Sequence, residues 1–243
     1  MKIDLSKIRV IVTDIDGTLT DRERRINLKA IETIRLLEKK GVKVILASSH
    51  AFPVVSTLAV YIGVSSPFIA ESGAVIGYPW NPIYIAKRHY EPKKVVEIMK
   101  KLGFIEAKNN IFRLVDLAFY TQNMKVDTNK ILEALERNGI KGVTIHDSGF
   151  AVHITPLEAD KGKAVLRTLQ VINERIENTL IIGDGKNDLP MFRIAKYSFA
   201  PSNAASELKK IATIVSEKED GDAFCEIANQ IITSRTKKAN SPD

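Results

Sequence analysis

Residues Ile8 to Thr13 (IRVIVT) constrain the fold more than any other stretch. The run is apolar and β-branched at most positions and shows no alternation, which fits a strand buried on both faces, the type found in parallel sheets. It stops abruptly at Asp14-Ile15-Asp16-Gly17-Thr18. A strand covered on both faces needs helices on either side, so the expected class is α/β with a doubly wound parallel sheet. In open sheets of this kind, ligands gather outside the carboxyl ends of the strands, where Asp14 and Asp16 project. Gly17 lets the chain turn away sharply.

The rest of the chain keeps that rhythm in two blocks. Asn27 is placed to cap a helix bearing Ala30, Ile31, Ile34 and Leu37, stopped by Gly41; Val42 to Ala47 reads as a second buried strand. Pro53 opens another helix, Gly63 closes it, and Pro67 to Ala70 reads as a third core strand. The alternation then breaks. Ala74 to Tyr78 and Ile83 to Lys87 look like a hairpin with Trp80 near its turn. The order helix (92–102), long strand (112–121), helix (127–138) and two strands (143–147, 150–155) reads as a small α+β insertion. From Lys161 onward, helices and strands alternate again: strands at 179–182 and 197–200, helices at 161–172, 189–195 and 204–211, and a last helix from Asp222. The organisation expected is therefore a core of residues 1–87 and 155–243 with an inserted α+β cap of residues 88–154.

Composition narrows the setting. The chain of 243 residues holds one cysteine, Cys225, so neither an internal disulfide nor a thiolate cluster is available, and a reducing compartment and an inert Cys225 are expected. No apolar run approaches the roughly 20 residues that span a bilayer, and Met1 to Ser6 lacks the layout of a signal peptide, so the expectation is a cytoplasmic protein without a membrane partner. The net charge of +7 is scattered among acids, as at Arg35, Glu38, Lys39 and Lys40. It reads as a solvated face with some attraction for small anions, not as a nucleic-acid surface. The tail Thr233 to Asp243 is basic and without apolar periodicity, and is expected to fray.

Chemistry-bearing residues recur at predicted strand ends. Ser48-Ser49-His50 follows the second strand, Glu71-Ser72-Gly73 the third, and Gly183-Asp184-Gly185-Lys186-Asn187-Asp188 the strand 179–182. Lys161 opens a helix, where its ammonium and the helix N-terminus both favour an anion. Four acids, Asp14, Asp16, Asp184 and Asp188, converge without His or Cys, a donor set suited to a hard cation such as Mg²⁺.

The set DIDGT at 14–18, Ser48, Lys161 and GDGKND at 183–188, in this order, resembles the haloacid dehalogenase superfamily of phosphohydrolases. The resemblance implies that Asp14 attacks phosphorus and becomes an aspartyl phosphate. Asp16 would protonate the leaving oxygen and then take a proton from water. Mg²⁺ would be held by Asp14, the backbone carbonyl of Asp16 and Asp184, with Asp188 direct or through water. Ser48 and Lys161 would hold phosphoryl oxygens, and Asn187 would orient its neighbours. The site of the insertion resembles the C2 cap of the Cof-like and sucrose-phosphatase-like branch. Within that branch the whole-chain pattern, including DSGFAVHI at 147–154, is similar to archaeal phosphoglycolate phosphatases. The chain departs from its relatives at Ser49-His50, where they usually carry Gly followed by Arg or Asn, and at Ser72, where they often have Asn. Those positions face the leaving group in the family.

The expected partner is a small phosphorylated metabolite, with phosphoglycolate first and another small phosphorylated sugar or acid as the alternative. A phosphomutase of the same superfamily and a receiver-like phospho-Asp signalling domain are the rivals; a receiver would need neither the cap nor Asp16. Single residues keep plainer readings: Ser48 as a helix cap, Lys161 as a surface lysine, and Glu71 as either a loop carboxylate or a substrate contact. Arg113, opening the long cap strand, is either solvated or a planar fork for a substrate carboxylate. His146 and His153 read as structural cap histidines, whereas His50 stands at a strand end.

Overall fold

The computed structural model describes residues 3–121 and 125–239. In chain order the first block holds β1 (Val10–Thr13), α1 (Leu28–Lys39), β2 (Lys43–Leu46), α2 (Phe52–Ile62), β3 (Phe68–Ala70), β4 (Val75–Tyr78) and β5 (Asn81–Ile85). The middle block holds α3 (Pro92–Lys101), β6 (Ile105–Glu106), β7 (Leu117–Tyr120), α4 (Thr128–Arg137), β8 (Val143–Asp147) and β9 (Val152–Pro156). The last comprises α5 (Lys161–Val171), β10 (Thr179–Ile182), α6 (Leu189–Ile194), β11 (Tyr197–Ala200), α7 (Ser206–Ile211), β12 (Ile214–Val215) and α8 (Asp220–Ala239).

The central sheet is parallel throughout, in the order β12-β11-β10-β1-β2. Strand β1 lies between β10 and β2, and successive side chains along it enter different cores. Ile11 joins Leu180, Ile182 and Val44 under α1, α2 and α8, whereas Val10 and Val12 join Ile181 and Ile45 under α5, α6 and α7. The unbroken apolar run is thus the signature of helices on both faces. Local signals start and stop those helices. Asn27 Oδ1 accepts the N–H groups of Lys29 and Ala30 at the head of α1, and Gly63, left-handed at φ 91°, ends α2.

The middle block folds into an antiparallel sheet, β6-β7-β9-β8, covered by α3 and α4. Its own core is built from Val95, Met99, Phe119, Ile131, Leu135 and Ile154.

Four expectations are corrected. First, β3 is not a full member of the parallel sheet: it pairs antiparallel with β4 in the sheet β3-β4-β5 and touches the central sheet through the bridge Ala47–Ile69. The left-handed residues Glu71, Ser72 and Gly73 turn the chain back on itself directly after β3. Second, the long strand 112–121 is only Leu117–Tyr120, preceded by a 3-10 turn over Lys108–Phe112. The N–H groups of Leu114, Val115 and Asp116 bond the distant Glu71 carboxylate instead of a neighbouring strand. Arg113 accordingly lies ahead of the strand and does not open it. Third, a short strand β6, with no counterpart in the apolar pattern, pairs with β7. Fourth, α8 begins at Asp220 and runs through Thr233 to Ala239 where fraying was expected; residues 240–243 of that tail lie outside the described residues. Arg235 ties this turn to the carbonyl of Ile8 at 2.8 Å. Cys225 is half-buried against the α1 side of the core, with the Thr33 hydroxyl 3.7 Å from its sulfur. Among the described residues no helix is long and apolar enough to cross a membrane.

Candidate active site

Register alone gathers the first residues of the site. Thr13 sits beside Ile182 on one side and Leu46 on the other, so the next residues of all three strands leave the sheet along one edge. That edge carries Asp14, Ser48 and Asp184. Asp14 is almost wholly buried, and its backbone N–H donates to Ile182 O at 3.0 Å.

Lys161 arrives from the far side of the insertion. Its fully buried Nζ donates to Asp14 Oδ1 at 2.6 Å and to Asp188 Oδ1 at 2.7 Å. The approach depends on Gly73 (φ 96°): a Cβ there would lie 2.6 Å from the Asp160 carbonyl and 2.8 Å from Lys161 N. Asp160 caps α5 by accepting the N–H of Lys163, which sets the helix start at the lysine. The other oxygen of Asp188 accepts the N–H groups of Asp184 and Gly185, both at 3.1 Å, and folds the 183–188 loop around itself.

Three carboxylates face one ammonium. Burial, and then the charge of Asp188, push the Asp14 carboxyl well above its usual range and Asp184 up to about 7. Burial disfavours the Lys161 ammonium, yet Asp14 and Asp188 outweigh it and push its value up. Asp14, Asp184 and Asp188 offer ligand oxygens within 4.8 Å of one another. Asp184 is oriented by the Thr18 hydroxyl at 2.8 Å and packs into the space Gly17 leaves empty, where a Cβ would stand 2.3 Å from its Oδ2. An all-oxygen, electron-rich cradle of this kind fits a hard divalent cation and suits Mg²⁺.

Asp16 is held apart from that cluster. His50 Nε2 lies 2.8 Å from one of its oxygens and Arg24 Nε 3.1 Å from the other. Burial works to raise its value, but His50 and Arg24 prevail and hold it at about 2. Arg24, itself left-handed at φ 64°, also stacks over Phe150 of the cap at 5.0 Å. Ser48 Oγ accepts the N–H of His50 at 3.1 Å, and Asn187 Nδ2 donates to Ser49 Oγ at 3.3 Å, which the Ser72 hydroxyl also reaches at 3.0 Å.

Asp14, Asp16, Ser48, Arg113, Asp184 and Asn187 line one cavity of about 90 Å³ between core and cap, and Lys161 and Asp188 are bonded to each other and to Asp14 behind its wall. Arg113 is buried in its wall and bonds Asp116 and Ser49 O, so the solvated reading is excluded. Glu71 is wholly buried and makes no cavity wall: its carboxylate accepts backbone N–H groups from Phe52, Leu114, Val115 and Asp116. It is a strap between core and cap, not a substrate contact. His153 bonds Asp116 at 2.8 Å and lines the cavity, while His146 meets the Thr155 hydroxyl at 3.1 Å. Sequence reasoning missed Arg24, Asn109, Asp116 and Phe150. Nothing in their spacing marks them, because each reaches the site by a turn or a long-range pairing.

The family model of haloacid dehalogenase-like hydrolases matches residues 11–130 and 104–227. A phosphoglycolate phosphatase of Staphylothermus marinus is 33% identical over 93% of this chain and 98% of its own length. One of Thermoplasma volcanium is 34% identical over 90% of this chain and 96% of its own. Among solved structures, Thermoplasma acidophilum 0175 superposes with a TM-score of 0.81 at 30% identity, covering 92% of this chain and 98% of that one. The sucrose-phosphatase of Synechocystis shares the fold at 17% identity, with a TM-score of 0.71 over 91% of this chain and 97% of its own. With the same motifs converging on one strand edge, this chain belongs to the haloacid dehalogenase-like hydrolases.

Proposed function

We propose that the chain is a Mg²⁺-dependent phosphomonoester phosphatase that works through an aspartyl phosphate and takes phosphoglycolate as its substrate. The observation that carries this reading is the Lys161 bridge between Asp14 and Asp188 beneath a small cavity that Asp14 lines. Asp14 Oδ2 accepts no hydrogen bond among the described residues and is the oxygen free to approach phosphorus. As the new P–O bond forms, the ester bond breaks and Asp16 supplies the proton the leaving oxygen needs. Water then attacks phosphorus, its proton passes to Asp16, and the bond to Asp14 breaks to release inorganic phosphate. Arg24 and His50 keep Asp16 ionised at rest. A phosphoryl dianion entering beside it adds negative charge and favours its protonated form.

Lys161 and the Ser48 hydroxyl, whose oxygen already accepts from His50 N and which donates to no group among the described residues, hold phosphoryl oxygens. Asp14, Asp184 and Asp188, with the Asp16 carbonyl, would hold the cation. When bound, it supplies the positive charge that offsets repulsion between carboxylate and phosphate. The cavity is small, about 90 Å³, which favours a small substrate such as a phosphoryl group on a two-carbon acid. The names of the phosphoglycolate phosphatase relatives agree with this reading.

Purified chain with Mg²⁺ is expected to release phosphate from phosphoglycolate, and acid quenching with labelled substrate should trap a phosphoenzyme that Asp14→Asn lacks. Phosphate release without any Asp14-dependent phosphoenzyme would overturn the mechanism. A folded chain inert toward phosphoglycolate and toward a chromogenic phosphate ester would overturn the activity.

A further inference from the structure

A chain of buried charges runs through the cap wall of the cavity. The Arg113 side chain is 3% exposed and the Asp116 side chain 0%. Arg113 Nη1 donates both to Asp116 Oδ1 and to the carbonyl of Ser49, the latter at 3.0 Å. Asp116 Oδ2 meets His153 Nδ1 at 2.8 Å, and the Asp116 backbone N–H is taken by Glu71. Burial works to raise the Asp116 value, but Arg113 and His153 bring it down, so its charge is secure.

What is missing from this network is informative. Arg113 Nε is buried without a hydrogen-bond partner, and Nη2 makes no hydrogen bond among the described residues. Nε and Nη2 form the side edge of the guanidinium, whose two parallel N–H bonds match the two oxygens of a carboxylate. A buried donor left unmet is costly unless a ligand meets it. In the same wall Asn109 Oδ1 is also buried and unpartnered, and with its amide turned over it offers N–H to the same visitor.

We infer that Arg113, a lining residue of the cavity, receives the carboxylate of a phosphorylated small acid along its Nε–Nη2 edge, and that Asp116 and His153 are positioning residues which hold its Nη1 corner and leave that edge unengaged. The inference rests on the phosphatase reading and deepens it to a substrate class. Asp116 has no freedom to release the arginine, since both its oxygens and its N–H are engaged. Ser49 O pins the same nitrogen from the core, so the fork is set only when cap and core are together. The sequence Asp116, His153, Ser148 has the order of a hydrolytic triad but not its chemistry. Ser148 Oγ donates to Ala151 O and accepts from Ala151 N, at 3.0 and 3.1 Å, and is 3.4 Å from the histidine.

The test compares phosphoglycolate with 2-hydroxyethyl phosphate, an ester of similar size whose far end is uncharged. In the wild-type chain the ratio of kcat/KM, acid over alcohol ester, should be well above one. Arg113→Lys keeps the charge but loses the planar edge, and should reduce that ratio about 10 to 100-fold, mainly through KM. Asp116→Asn should reduce it less and in the same direction. Should either variant fail to fold, the wild-type chain decides: glycolate should inhibit hydrolysis of 2-hydroxyethyl phosphate competitively while ethylene glycol does not. Equal losses on both esters in Arg113→Lys, or equal effects of the two inhibitors, would overturn the assignment and leave the phosphatase reading intact. Absence of hydrolysis of either ester by the wild-type chain would overturn the reading itself.

Discussion

Lys161 Nζ lies 2.6 Å from Asp14 Oδ1, although the two residues are 147 positions apart in the chain. Removing the ammonium while keeping a similar shape, as in Lys161→Met, leaves buried carboxylates without their counter-ion. Breaking a buried pair from one side costs about 3–5 kcal/mol, and the proposed phosphoryl site loses the buried ammonium beside Asp14. The expected outcome is a lower urea midpoint together with a fall in kcat of at least about 100-fold. Unchanged kcat would show that Lys161 serves the fold alone.

Asp14→Asn replaces the proposed nucleophile by an amide of almost the same outline. Turnover should fall below detection while the melting temperature stays at or above that of the wild type, because one of the crowded carboxylates is gone. Steady-state kinetics with a melting curve on the same sample checks both halves.

Metal removal should silence the enzyme reversibly. Chelation by EDTA is expected to abolish phosphate release and added Mg²⁺ to restore it, with Ca²⁺ a poor replacement because it prefers looser and higher coordination. Asp184→Asn should raise the Mg²⁺ concentration needed for half activation. Full activity in metal-free buffer would refute the cradle of Asp14, Asp184 and Asp188.

Glu71→Ala should be among the most damaging changes outside the cavity. It orphans backbone N–H groups at Phe52, Leu114, Val115 and Asp116, each worth about 1–3 kcal/mol when buried and unmet. A loss of more than about 3 kcal/mol is expected in urea unfolding, with Glu71→Gln intermediate, since one carbonyl oxygen remains to accept.

His146 gives a stability slope in mild acid. Burial, and then the charge of His153, push its value down from 6.5 to about 4. As pH falls through 6.5 the unfolded chain takes up a proton that the folded chain refuses until about pH 4. Stability is therefore complete above pH 6.5 and is lost between 6.5 and 4, by at most about 3 kcal/mol. His146→Gln should flatten that segment of the curve, as read from urea midpoints at pH 7.5, 5.5 and 4.5.

Local pattern was enough for four strands of the parallel core, β1, β2, β10 and β11; it left out β12 and counted in β3, which pairs antiparallel with β4. The run 8–13 and the strand 179–182 are apolar without alternation because both faces are covered, and Asn27, Gly63 and Asp160 mark helix ends through contacts within a few residues. The acids at the strand ends were legible for the same reason. Once strands are parallel and in register, the residues that follow them must share an edge, so Asp14, Ser48 and Asp184 needed no further information.

The cap wall was not legible in this way. The strand expected from residue 112 is shortened by Glu71, a carboxylate from the core that captures the N–H groups a neighbouring strand would have used. Pairing of Arg24 with Asp16, and of Arg113 with Asp116 and Ser49, depends on turns at positive φ and on the docking of cap against core. The sequence by itself determined which residues share the strand edge of the candidate site, because backbone hydrogen bonding and helix capping act over a few residues or through regular register. Only the tertiary structure decided which side chains close that edge, because a buried charge takes the partner that long-range packing brings within 3 Å or so.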